Sequence, residues 1–199
     1  MNPNPHEERG RRFLFLLAGV ACLALLAYLA GGAPSWALPS QNSLRGTIVA
    51  ELDGRVIWQA HPGPGPSWAL PLQLDIYYLA GGVYTSTVVT TGTDAHFLLP
   101  SVDVDTYNMA VKGIHTLRVR KNDIQVVTPT THVNFGMLLE GDASGDNMVN
   151  ASDASIVALS FWKSRGDPGF DGRADFNEDG TINAWDAALL AINYWKVGD

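Results

Sequence analysis

Cys22 is the only cysteine in the 199-residue chain. It lies inside the apolar run Phe13–Ala30 and reads as a small apolar filler. A lipidation site is the weaker alternative, because the residues that follow it are mostly apolar. The rest of the chain can form no disulfide, so a small domain within it needs another staple. Basic residues are also few, 13 Lys and Arg against 20 Asp and Glu, for a net charge of −7. From Gly141 onward ten acids (Asp142, Asp146, Asp153, Asp167, Asp171, Asp175, Glu178, Asp179, Asp186, Asp199) face four bases (Lys163, Arg165, Arg173, Lys196). Such a surface repels nucleic acid and anionic membranes and suits cations. The stretch before Gly141 is poor in acids, and His61, His96, His115 and His132 are scattered without metal or triad spacing. With no nucleophile–base pairing and no carboxylate pair across a cleft, the sequence does not read as an enzyme.

Long apolar runs are absent apart from Phe13–Ala30, which is 18 residues long. Arg11 and Arg12 precede it and small residues, Ser35 and Ala37, follow, so residues 1–37 resemble an export signal. The length sits at the lower edge of a membrane span, which keeps an uncleaved anchor as the rival reading. Either way the remainder is expected outside the cytoplasm, secreted or held on the outer membrane face by residues 13–30. Any contact with membrane is expected through that segment alone.

Residues 31–43 are rich in Gly, Pro and Ser and read as a linker. The division expected is residues 1–37, a β domain over 38–140 and a second domain over 141–199. From Leu44 to about Leu139, short β-branched and aromatic runs are bounded by turn residues. They predict a mainly β sandwich of about seven antiparallel strands. Asp53-Gly54 reads as a hairpin turn between two of them. His61–Pro66, alternating Pro and Gly, reads as a loop or edge connection. Trp58, Trp68, Tyr77, Tyr78 and Tyr84 are candidates for a sugar platform, but strand aromatics belong to a core more often than to a platform; Trp58 and Trp68, which adjoin that loop, are the residues to test. Polysaccharide binding through the sandwich is the alternative function.

What the chain has in abundance is a repeat. DASGDNMVNASD, Asp142 to Asp153, is answered 33 positions later by DFNEDGTINAWD, Asp175 to Asp186. Oxygen-bearing side chains occupy positions 1, 3, 5, 9 and 12 of each loop, the spacing of an EF-hand calcium loop. The predicted ligands for two Ca2+ ions are Asp142, Ser144, Asp146, the Met148 carbonyl, Asn150 and Asp153, then Asp175, Asn177, Asp179, the Thr181 carbonyl, Asn183 and Asp186. Asn150 and Asn183 can hold a bridging water or tie the loop. Position 6 requires positive φ, available freely to Gly180 and at modest cost to Asn147. Val149 and Ile182 at position 8 are expected to bridge the two loops to each other. Ser144, neutral and a poorer ligand than Asn177, makes the first loop the weaker site. Amphipathic helices are expected over Ser155–Lys163 and Ala187–Lys196. The C-terminal region should therefore be a small all-α module of two loop–helix repeats. A repeat of this kind implies two related faces, either of which a partner could meet.

Two family resemblances follow from these motifs. TDAHFLLPSVDVDTYNMAVKGIHTLRV is similar to carboxypeptidase-regulatory-like and other transthyretin-like sandwiches, with Asp94, Phe97, Leu99, Tyr107 and Val111 at matching positions and His96 and Asp105 in place of two glycines. Over residues 141–199, GDASGDNMVNASD and ADFNEDGTINAWD resemble dockerin type I domains. That resemblance implies calcium-dependent docking onto a cohesin-like domain, as in polysaccharide-degrading assemblies. It also implies partner contacts at loop positions 10 and 11 and along the following helix, here Ala151, Ser152, Ala184 and Trp185, with Lys163 and Lys196 near the helix ends. The familiar Ser-Thr pair is missing at those positions. Trp185 suits an interface anchor or a core plug.

Overall fold

The computed structural model describes residues 48–199. The export or anchor segment, Cys22 and the 31–43 linker lie outside the described residues. Among the described residues, no helix is long and apolar enough to cross a membrane. The β region forms two sheets. One is ordered β4–β1–β7, from His96–Asp103, Val49–Trp58 and Thr130–Leu138. The other is ordered β3–β2–β5–β6, from Val83–Thr90, Pro71–Tyr78, Thr106–Gly113 and Val119–Gln125.

Period-two alternation sends one side of each inner strand into the space between the sheets. Leu52, Val56 and Trp58 of β1 meet Leu72, Leu74 and Ile76 of β2, Tyr107, Met109 and Val111 of β5, and Val133, Phe135 and Leu138 of β7. Each such fully buried side chain contributes about 1.5–3 kcal/mol of transfer free energy. Phe97, Tyr107 and Val111, conspicuous in the sequence pattern, belong to this core.

Two expectations need correction. The sandwich has seven strands, but not all pairs are antiparallel: β1 runs parallel to β7. The connection after β6 crosses between the sheets and delivers the last strand in the direction of β1, along the edge that β4 leaves free. Gly136, at φ 85°, absorbs the register shift between Arg55 and Val56 in that pairing.

Second, Asp53-Gly54 is no turn. It lies within the continuous strand β1. Gly54 is needed for space, because a Cβ there would fall 2.0 Å from Cζ of the buried Phe97 ring. Asp53 points to the outer face, where its two oxygens meet His96 Nδ1 at 2.9 Å and His132 Nδ1 at 2.8 Å. The bond to His96, followed by that to His132, holds the Asp53 carboxyl below its ordinary range against the cost of burial.

Trp58 and Trp68 are buried, the core reading expected for strand aromatics, with Trp58 Nε1 donating to the Trp68 carbonyl at 3.2 Å. Neither can stack on a sugar. His61 is buried as well, while Pro66 opens a single 3-10 turn, Pro66–Trp68, that seats Trp68 in the core.

Gly54→Ala should cost about 1–3 kcal/mol, the usual penalty of overpacking a core. Urea denaturation of the full chain checks this, and an unchanged midpoint would contradict the packing assigned to Phe97.

Candidate metal loops and docking face

The two acidic loops each run into a helix: α1, Ala151–Ser160, and α2, Ala184–Asn193. Both begin three or four residues earlier than amphipathicity predicts, because a capping box starts them. Asn150 Oδ1 accepts from Ser152 N–H and Asp153 Oδ2 from Asn150 N–H, each at 2.8 Å. Asn183, Trp185 and Asp186 repeat the pattern, again at 2.8 Å. Asn150 and Asn183 thus serve as N-caps, and Asp153 and Asp186 occupy the first helical turn. The free oxygen of each aspartate reaches back into its loop, Asp153 Oδ1 to Ser144 N–H and Asp186 Oδ1 to Phe176 N–H, both at 2.8 Å.

Position 6 has the expected backbone, with Asn147 at φ 69° and Gly180 at φ 85°. In the first loop Asp142, Asp146 and Asp153 each bring an oxygen within 4.8 Å of the others. Ser144 and Met148 lie exposed along the same loop. In the second, Asn177 Nδ2 bonds Asp179 Oδ2 at 2.9 Å, and Asp179 Oδ1 accepts from Thr181 N–H at 2.8 Å.

The position-1 aspartates differ between repeats. Asp142 Oδ1 accepts from Gly145 N–H at 2.8 Å, and Oδ2 accepts from Asn147 N–H at 2.9 Å and from the Lys112 ammonium. Asp175 Oδ2 accepts from Gly180 N–H at 3.0 Å, whereas Oδ1 is buried without a hydrogen-bond partner. Burial, reinforced by Glu178, pushes the Asp175 carboxyl above its ordinary range, and burial does the same to Asp186. In the first loop a bond from Met148 N–H leads the effects that hold Asp146 below its ordinary range.

The position-8 residues do not bridge loop to loop. Val149 N–H donates to the Lys196 carbonyl at 2.9 Å and its carbonyl accepts from Trp195 N–H at 2.8 Å. Ile182 does the same with Lys163 and Trp162, at 2.9 and 2.8 Å. Each loop is therefore clamped to the chain leaving the opposite helix. Trp162 and Trp195, in the left-handed region at φ 62° and 69°, turn the chain out of each helix toward the clamp.

The helices share a core of Val149, Val157, Phe176, Ile182, Leu189 and Leu190, to which the sandwich adds Leu117. Outside it large apolar side chains stand exposed. Trp162, Trp185 and Trp195 are 71%, 72% and 74% exposed, with Leu159 and Ile192 also outward. Trp185 is no core plug. Ala151, Ser152, Ala184 and Lys196 are exposed, and Lys163 is half-buried. Ser152 and Leu159 on α1 correspond to Trp185 and Ile192 on α2, so the related faces differ in chemistry. Trp185, Leu189 and Ile192 also border a groove of about 500 Å³ whose far wall is Gln59, Ala60 and Pro62.

Where sandwich and helices meet, buried polar groups converge that the sequence left scattered. Glu140 is fully buried, with Oε2 2.5 Å from His115 Nδ1 and Oε1 3.3 Å from His61 Nε2. The latter pair is close enough to attract but is not aligned as a hydrogen bond. His115 Nε2 continues to Glu178 Oε1 at 3.5 Å, at position 4 of the second loop. Asn193, buried at the end of α2, donates to Gln59 Oε1 at 2.6 Å and to the Glu140 carbonyl at 2.7 Å. Burial opposes a charge on His115, but Glu140 and then Glu178 outweigh it and push the ring up to about 10.

This arrangement defines the class: a β-sandwich packed as one compact unit with a duplicated loop–helix module. Residues 140–194 match the dockerin type I domain. The C-terminal module is a dockerin domain, and through it the chain belongs to the dockerin-bearing proteins. Two solved structures share the wider fold, the C-terminal and N-terminal interface mutants of a type II cohesin–X–dockerin complex from Acetivibrio cellulolyticus. Their matching chains superimpose with TM-scores of 0.58 and 0.60 at 19% and 18% identity, over 75% of this chain and 97% of each of theirs. A type II cohesin–dockerin domain from Bacteroides cellolosolvens is 40% identical over 29% of this chain and 85% of its own, with a TM-score of 0.25. No curated protein matches the chain.

A histidine whose folded pKa lies above its unfolded 6.5 stabilises the fold fully below that value and loses the contribution as pH rises toward about 10. The full chain should therefore exceed His115→Gln in stability at pH 6, with the gap shrinking between pH 7 and 10. Urea midpoints at fixed calcium check this; a gap that widened with pH would reverse the assignment.

Proposed function

We propose that the chain is an exported, noncatalytic protein whose dockerin domain, loaded with two Ca2+ ions, docks onto a cohesin-like domain in an extracellular polysaccharide-degrading assembly. The observation that carries the metal half of this reading is the buried, unpartnered Oδ1 of Asp175. An orphaned carboxylate oxygen on Asp175, whose carboxyl like that of Asp186 is raised by burial, is relieved by a hard cation. The fitting donors are Asp175, Asn177, Asp179, the Thr181 carbonyl and Asp186 in one loop, and Asp142, Ser144, Asp146, the Met148 carbonyl and Asp153 in the other. Dockerin type I domains bind calcium, and an ion in these loops would neutralise the clustered charge and fix the start of each helix.

The docking half rests on the exposed apolar face. Exposed tryptophans beside Leu159 and Ile192 are poor solvent contacts but suitable anchors, since Trp is enriched at interface hot spots. Of the two faces, that of α2 is the stronger, because Trp185 stands where α1 has Ser152. Residues 38–140 act as the module's support and 141–199 as its docking part. Export rests on residues 1–37 of the sequence.

Calorimetric titration of the full chain with a cohesin domain tests the proposal. Saturable heat is expected in calcium and none after chelation, and equal binding with and without chelator would overturn it. Trp185→Ala should weaken binding by about 2 kcal/mol or more, a hot-spot loss. Ser152→Ala should change it little; equal losses from both would contradict the preference for α2.

A further inference from the structure

The position-1 aspartates differ in one respect that belongs to the sandwich. Lys112, near the end of β5, places its ammonium on Asp142 Oδ2 and anchors it with a bond to the Thr116 carbonyl at 2.7 Å. Asp142 is fully buried and Lys112 is 21% exposed, so this charge pair is screened less than a surface pair. Among the described residues the second loop has no equivalent. The nearest cation to Asp175, Arg165, is 65% exposed, 3.5 Å away, and shared with Glu178. Every oxygen of Asp142 has a donor, one of them a full positive charge, while Asp175 keeps one oxygen free.

We propose that Lys112 is a resident counter-cation of the first loop, by which the sandwich weakens calcium binding there and sets the order in which the two loops fill. The inference rests on the calcium reading above. The ammonium supplies part of the neutralisation that a metal would bring, so the first loop keeps its shape without one. A divalent ion entering beside Asp142 then meets a positive charge that cannot move far, because the Thr116 carbonyl holds it. The second loop lacks such a competitor and fills first. Ser144 in place of Asn177 acts in the same direction, but Lys112 can be altered without replacing any ligand.

The test is calcium titration of the full chain, followed by calorimetry and by the amide resonances of Asn147 and Gly180, which report the two loops separately. In the wild type, Gly180 should respond at lower calcium than Asn147. Lys112→Gln should tighten the step seen at Asn147 about tenfold or more, the scale of a charge pair near a protein surface. The Gly180 step should stay in place, and Lys112→Arg should behave as wild type. Weaker or unchanged calcium binding at Asn147 in Lys112→Gln would overturn the proposal. If that variant does not fold, the wild-type order still decides, since filling of the first loop before the second is incompatible with it. Saturable calcium at neither loop would instead defeat the calcium reading itself.

Discussion

A carboxylate with no exposed surface governs how the two halves of this protein meet. An unpaired charge inside a protein costs several kcal/mol, and removing one partner of a buried pair typically costs about 3–5 kcal/mol. Glu140 therefore dictates its surroundings. It requires His115 on one oxygen and the His61 ring near the other, which draws in both the β5–β6 connection and the His61–Pro66 loop. His115 passes the constraint to Glu178, and the backbone of Glu140 passes it to Asn193 and Gln59. The sandwich, the second loop and the end of α2 are thereby held by a single set of charges and hydrogen bonds. The apolar contribution across the same seam, chiefly Leu117, adds adhesion with little direction.

The local features of this chain were legible in its sequence and the distant ones were not. An EF-hand-type loop is specified within twelve residues, because oxygen ligands, a positive-φ position and an N-cap must all fit one turn of chain. Asn147, Gly180, Asp153 and Asp186 could be placed from spacing alone. The strands were legible from β-branched alternation, and so was their approximate number. Asp53-Gly54 misled because the pair is a common turn signal, and nothing near it announces that Phe97, 43 residues onward, lies against Gly54. The parallel pairing of β1 with β7 is likewise a property of a chain crossing, with no local signature.

The histidines show the same limit. Their positions in sequence carry no ligand spacing, yet folding gathers His96 and His132 on Asp53 and His61 and His115 on Glu140. Lys112 escaped notice because it sits in a strand 30 residues before the aspartate it touches. One clue was available: Glu140 stands between an apolar run and an acidic loop with no base beside it in sequence, so any partner had to come from elsewhere.

The crossed clamps have a consequence for portability. Val149 is closed by residues that follow α2, and Ile182 by residues that follow α1. A single repeat cut from the chain would carry an open backbone edge and half a core, so the repeats cannot be shuffled one at a time. Grafting the pair onto another protein meets a second demand at its upstream border. Leu117 fills part of the module's interior, Arg118 N–H donates to the Asn147 side-chain oxygen, and the Arg118 carbonyl accepts from Asp199 N–H. A transplant that preserves this interior must bring those two residues or supply substitutes, so the transferable cassette is larger than the repeat that defines it.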